Sequence, residues 1–129
     1  MKAPAVHVSW GEIIDKVTIL EIKAARLERP EALENVKREL ALLTPAVDAA
    51  LKFSAEVSTL KSSLSRVNQA LWEVEDNIRE RESRRAFDRD FIELARSVYK
   101  QNDERAAIKR QINMLLSSEL VEEKSYQSY

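Results

Sequence analysis

Apolar side chains at Val57, Leu60, Leu64, Val67, Leu71, Val74 and Ile78 are separated by alternating steps of three and four residues. A repeat of about 3.5 residues keeps one greasy stripe facing a partner, which predicts a long helix with a coiled-coil-like seam. Lys61, Ser62, Ser65, Arg66, Gln69, Glu73 and Asp76 fill its flanks. Upstream, Ser9-Trp10-Gly11-Glu12 has the form of a capping box. The Ser9 hydroxyl is expected to accept from the amide three residues on, and Glu12 to reach back to the Ser9 amide. Trp10, Ile13, Val17, Leu20, Ala24 and Leu27 then mark a first helix, which Arg29-Pro30 ends. A second begins at Pro30 and carries Leu33, Val36, Leu40 and Leu43.

Thr44-Pro45 predicts an interruption, with Thr44 as a cap and Pro45 in the next first turn. Because Val47 and Leu51 continue the spacing, a kink competes with a loop there. The chain then reads as helical to Arg84, with Ser54 as its weak point. Arg84 to Asp88 forms a turn, and Asp88 caps a last helix with Phe91, Leu94, Val98, Ile108, Ile112 and Leu115 on its buried face. Gln101 and Arg105 fall where that face calls for apolar residues. Asn102-Asp103 beside them either ends one helix and caps another, or lies within a single helix at a polar patch. Residues 1–8 read as an arm, 9–118 as the helical core and 119–129 as a frayed or docking tail.

The pattern predicts one all-α domain over residues 1–129, an elongated antiparallel helical hairpin or bundle of about four helices. One helix across residues 45–84 would be ~60 Å long, against a radius of gyration of roughly 14 Å for a compact globule of this size. An elongated hairpin whose seam is covered in a homodimer reconciles the two. Composition supports the class. One Gly and three Pro leave little turn material for a many-stranded protein, and 33% charged with 44% hydrophobic residues suits exposed helices. A formal net charge of −1 supplies no field for nucleic acid or an anionic membrane, and the absence of Cys removes thiol chemistry and disulfides. No apolar run approaches the roughly 18 residues of a membrane span, and Met1 to Ser9 lacks a signal-peptide core. A cytoplasmic location is the expectation.

Two constellations carry candidate chemistry. Glu12/Asp15 and Glu73/Asp76 are acid pairs three residues apart, so each shares a helix face. Two such pairs on facing helices would hold Mg²⁺, an arrangement similar to that of helical nucleotide pyrophosphatases. The same spacing recurs at Glu28/Glu31, Glu31/Glu34, Asp90/Glu93 and Glu119/Glu122, as chance would produce in an acidic chain. No other cofactor is implied. The second constellation is polar. Arg96, Tyr99, Gln101, Asn102, Asp103, Arg105 and Lys109 interrupt the last helix, and Asn68, Trp72, Glu75 and Arg79 line one flank of the seam helix. If these faces meet, Arg79, Arg96 and Arg105 would grip a phosphate or carboxylate, with Trp72 or Tyr99 as a stacking wall. Small helical chorismate mutases are similar in architecture only. The competing reading is a salt-bridge network that sets register and partner choice. Glu80, Glu82, Asp88 and Asp90 interleave the run Arg79, Arg81, Arg84, Arg85, Arg89, which reads as a solvated face and not a nucleic-acid site. His7, alone in the arm, has no base partner.

Several stretches carry a resemblance. They are Gly11 to Lys16 with Ile19 to Lys23, Val67-Asn68 with Leu71 to Glu73 and Glu75 to Arg79, and Phe91 to Arg96 with Val98-Tyr99 and Asn102-Asp103. In these the chain resembles a family of small bacterial proteins grouped as a domain of unknown function. The resemblance implies no activity, but it falls on the same polar sets. On this reading the leading function is non-catalytic helix-helix association, with a homodimer or another protein as partner. The alternative is a small enzyme or ligand binder, Mg²⁺-assisted or not, using Arg79, Arg96, Arg105, Glu75 and Asp76.

Overall fold

The computed structural model describes residues 1–129 and contains four helices and no strand: α1 (Trp10–Arg26), α2 (Pro30–Phe53), α3 (Ala55–Ser83) and α4 (Arg89–Leu115). Ser9 is extended and caps α1 by accepting from the Glu12 amide at 3.1 Å. The reciprocal half of the capping box does not form, because the Glu12 carboxylate turns instead to Lys109 on α4, at 2.8 Å. Pro30 opens α2 as expected.

Thr44-Pro45 does not interrupt the chain: α2 runs through Pro45 to Phe53. Thr44 is no cap either, since its hydroxyl donates back to the Leu40 carbonyl at 2.6 Å. Val47 and Ala50, two and five residues after Pro45, are locked in the core, and that packing outweighs the hydrogen bond proline removes. The break falls at Ser54, whose extended backbone starts α3 and whose hydroxyl accepts from the Glu56 amide. The chain thus breaks at the weak point expected at Ser54, and no single helix spans residues 45–84. With 29 residues, α3 alone is about 43 Å long.

Arg85, at φ 53°, turns the chain between α3 and α4. Asp88 caps α4 by accepting from the Phe91 amide at 3.0 Å, and Arg81 spans Asp88 and Asp90 across the turn. α4 is continuous through Asn102-Asp103.

All seven stripe residues of α3 turn inward, but unequally. Val57, Leu64 and Val67 are buried, whereas Leu60, Leu71, Val74 and Ile78 are half-buried. The core joins Ile14 and Val17 of α1, Val47 and Ala50 of α2, the first half of α3, and Ile108 and Ile112 of α4. Four helices meet at that end. The far half of the α3–α4 hairpin has only its own two strips of side chains, with Phe91, Leu94 and Val98 half-buried opposite Val74 and Ile78. No helix is long and apolar enough to cross a membrane.

α1 and α4 run antiparallel and unusually close at one point. The Gly11 amide donates to Asn113 Oδ1 at 2.7 Å, and a Cβ on Gly11 would lie 2.6 Å from the Lys109 carbonyl oxygen. The chain's only glycine is thus the residue that lets two backbones meet. The rungs that follow, Glu12 to Lys109 and Asp15 to Arg105, build the polar centre described next.

Candidate ligand groove and its buried polar centre

Asp15 sits on the inward face of α1 with 1% of its surface exposed. A carboxylate that far from water needs counter-charges and hydrogen bonds, and two helices supply them. Arg105 of α4 donates Nε to Oδ1 at 3.0 Å and Nη2 to Oδ2. Asn68 of α3 donates Nδ2 to Oδ1 at 2.9 Å. Lys109, one turn beyond Arg105, lies 4.0 Å from Oδ2 and donates to Glu12 and, at 3.0 Å, to Glu122 of the tail. Thr18 completes the centre, donating to the Asp15 carbonyl at 2.6 Å and accepting from Asn68 Nδ2 at 2.8 Å.

The hydrogen bond from Arg105 to Asp15 raises the guanidinium further above its ordinary range, against the opposing effect of burial. Burial disfavours the Lys109 charge, but hydrogen bonds to Glu12 and Glu122 outweigh it and the amine titrates above its ordinary 10.5. Glu122 is correspondingly lowered from 4.5, first by Lys109 and then by Lys124.

Beside this centre a groove of about 410 Å³ opens between α1 and α3, with Arg105 at its base. Lys23 comes from the second half of α1, and Asn68, Trp72, Glu75, Asp76 and Arg79 from successive turns of α3. Ile19, Ile22 and Leu71 form the apolar part of its wall. Trp72 is held at the rim by Arg26, whose guanidinium lies 5.7 Å from the ring centroid and pairs with Glu73. Arg79 pairs with Glu75 across one exposed turn at 3.3 Å. Lys23 and Asp76 make no ion pair. Cation donors, carboxylates and an aromatic wall thus share one concavity, the arrangement that fixes a small polar ligand.

Of the residues singled out for ligand binding, Asn68, Trp72, Glu75, Asp76, Arg79 and Arg105 share this groove. Tyr99, Asn102 and Asp103 do not. They line a separate cavity of about 1010 Å³ between α4 and the tail, where Tyr129 donates to Asp103 and packs on Tyr99 at 5.0 Å between ring centroids. Asn102 alone reaches toward the groove, accepting from Arg105 Nη1 at 3.5 Å. Arg96 stays on the solvent face, paired with Glu93 at 3.1 Å, so it does not join Arg79 and Arg105.

The four carboxylates considered for metal are not gathered together. Asp15 is taken by Arg105 and Asn68, Glu12 by Lys109, Glu73 by Arg26, and only Asp76 faces the groove. No cluster of three or more His, Asp or Glu side chains is assembled.

Sequence reasoning underuses Lys109 and Lys23, meets Glu122 only as one of the chance acid pairs, and does not find Thr18 or Asn113 at all. Lys109 was visible as part of the polar interruption of α4, and Lys23 as part of the α1 stretch. Thr18 and Asn113 carry no signal without knowing which helices touch.

The pattern defining DUF6165, a family of unknown function, matches residues 4–129. The chain belongs to DUF6165. No curated protein and no solved structure matches it. In this DUF6165 protein the match extends over the arm's last residues, all four helices and the tail, so the polar centre and the groove both lie within the family's matched region.

Proposed function

We propose that this DUF6165 protein binds a small molecule through a phosphate or carboxylate held in the groove between α1 and α3. The observation that carries the reading is Arg105, fixed at the base of the groove by the buried Asp15 before any ligand arrives. A guanidinium already ordered loses little freedom on binding, so more of its interaction appears as affinity. Lys23 and Arg79 extend the same donor surface, and Trp72 offers a flat wall to a ring. Nothing in this reading requires a chemical step. Mg²⁺ enters only alongside a phosphate, with Asp76 and Glu75 as the carboxylates within reach of the groove.

A thermal-stabilisation screen of nucleotides, sugar phosphates and carboxylic acids, with and without Mg²⁺, tests it. At least one class should raise the melting temperature. Arg79→Ala should keep the fold, because its one ion pair is exposed, and should lose that stabilisation. No response across the screen overturns the reading.

A second reading, self-association, is favoured by the far half of the hairpin. There Val74, Ile78, Phe91, Leu94 and Val98 are only half-covered, and Phe87 and Ile92 are 55% and 53% exposed. A second copy of the chain laying its own hairpin across this strip would complete a four-helix layer. The interleaved charges from Arg79 to Asp90 leave the strip's end close to neutral, so two copies would not repel there. The groove and the strip share the Val74–Arg79 stretch of α3 but use different side chains of it.

A further inference from the structure

Asn68 is 6% exposed, and its amide nitrogen is committed twice, to Asp15 and to Thr18. Those two acceptors fix the orientation of the side-chain amide, since Thr18 already donates its own proton to the Asp15 carbonyl. The other end of the amide, Oδ1, accepts no hydrogen bond from the protein, and Asn68 lines the groove. No fully enclosed side-chain polar atom of the chain lacks a partner, so this oxygen keeps an opening, and the groove that Asn68 lines is the concavity beside it. A nearly buried acceptor without a donor is a place for a ligand's proton.

Two turns along α3, on the same face, Asp76 is a carboxylate in the same groove with no cation paired to it. Across from them Lys23 is an amine with no carboxylate paired to it. The groove therefore holds unused acceptors along α3, an unpaired amine from α1 and the N–H groups of Arg105 that its bonds to Asp15 and Asn102 leave over. A ligand that is only an anion would satisfy the donors, leave Asn68 Oδ1 empty and bring like charge toward Asp76. An ammonium has donors and no acceptor, which is what Asn68 and Asp76 both lack.

We infer that the groove of this DUF6165 protein takes a zwitterionic ligand, one that carries an ammonium beside its phosphate or carboxylate, with Lys23 and Arg105 toward the acid and Asp76 and Asn68 toward the amine. This rests on the acid-binding reading above and narrows it to a class that includes amino sugar phosphates and phosphorylated amino alcohols. Trp72, between Asn68 and Asp76 on the same face, lies against the ligand's carbon frame.

Matched pairs test it. Glucosamine 6-phosphate and glucose 6-phosphate share ring and phosphate and differ by an ammonium in place of a hydroxyl. Phosphoethanolamine and ethyl phosphate differ in the same sense without a ring. Titration calorimetry below the pKa of the amine should show the amino member of at least one pair binding tighter by roughly tenfold or more, as a charge-assisted hydrogen bond supplies. Asp76→Asn, which removes no ion pair of the fold and should melt as the parent does, should abolish that preference while phosphate binding persists. Equal binding within both pairs, or a preference that D76N leaves unchanged, overturns the inference and leaves acid binding standing. If neither pair nor inorganic phosphate binds at all, phosphate binding falls and the inference with it.

Discussion

Asp15 brings a carboxylate into the interior where Arg105, Asn68 and Lys109 converge on it from two other helices. Replacing it by an uncharged isostere tests how much of the fold depends on that one charge. Asp15→Asn leaves Arg105 half-buried without its counter-ion and sets an NH2 donor where one accepting oxygen stood. Breaking one side of such a pair costs about 3–5 kcal/mol, and denaturant titration should register a loss of that order. A loss below about 1 kcal/mol, the range of an exposed pair, would mean that Arg105 finds water as readily as it found Asp15. This residue also shows where sequence reading stops. Asp15 was assigned to a metal set and Asn68 and Arg105 to a ligand set, although all three form one cluster. Periodicity tells which residues share a face of their own helix. It does not tell which faces of different helices meet, and here the close approach allowed by Gly11 decides that.

At the scale of elements, the stripe on α3, the caps at Ser9 and Asp88 and the turn after Arg84 were legible because each is a local pattern. At Pro45 the expected interruption does not form, because a local rule meets a tertiary constraint. It sits exposed within α2, where proline costs up to about 3 kcal/mol relative to alanine. Pro45→Ala should therefore raise stability by about 1–3 kcal/mol, partly offset by the freer unfolded chain, with helix content by circular dichroism unchanged or higher. A destabilised P45A would show that the proline's ring packs in a way its exposure hides. The tail carries a different expectation. Glu122, lowered from 4.5 by Lys109, contributes docking free energy that is complete above pH 4.5 and is lost as pH falls through its lower docked value. Lys109, raised above 10.5, contributes fully below that pH and loses its contribution only as pH rises through its higher folded value. Amide shifts of residues 119–129 should therefore move toward free-coil positions in acid and at the alkaline extreme, and stay constant between. In Glu122→Gln the acid step should vanish; its persistence would assign docking to Tyr129 and Asp103 instead.

At the scale of the whole molecule, the expectation of an elongated hairpin was reached through a helix over residues 45–84 that Ser54 divides, while the length resides in α3 and α4. The seven-residue repeat predicts that the seam is covered. It does not reveal that the four-helix core buries only the half nearest Val57, because nothing in the α3 pattern changes at Leu71. Every buried apolar residue of the hairpin lies at or before Val67 or at or after Ile108. Local opening follows the density of such burial, so backbone amides of residues 74–98 should exchange with solvent faster than those of 57–67 and 105–112. Hydrogen exchange followed by mass spectrometry reads this directly, and repeating it over a range of protein concentrations separates two cases. If a second copy covers the far half, protection there rises with concentration while the core stays constant, and sedimentation shows a larger species over the same range. Replacing Phe87 and Ile92 together by Ser, both more than half exposed, should then remove both the concentration dependence and the larger species without altering core exchange. Protection of residues 74–98 that equals the core's and is the same at every concentration would mean that two helices hold this seam closed unaided, and self-association through the hairpin would have no role.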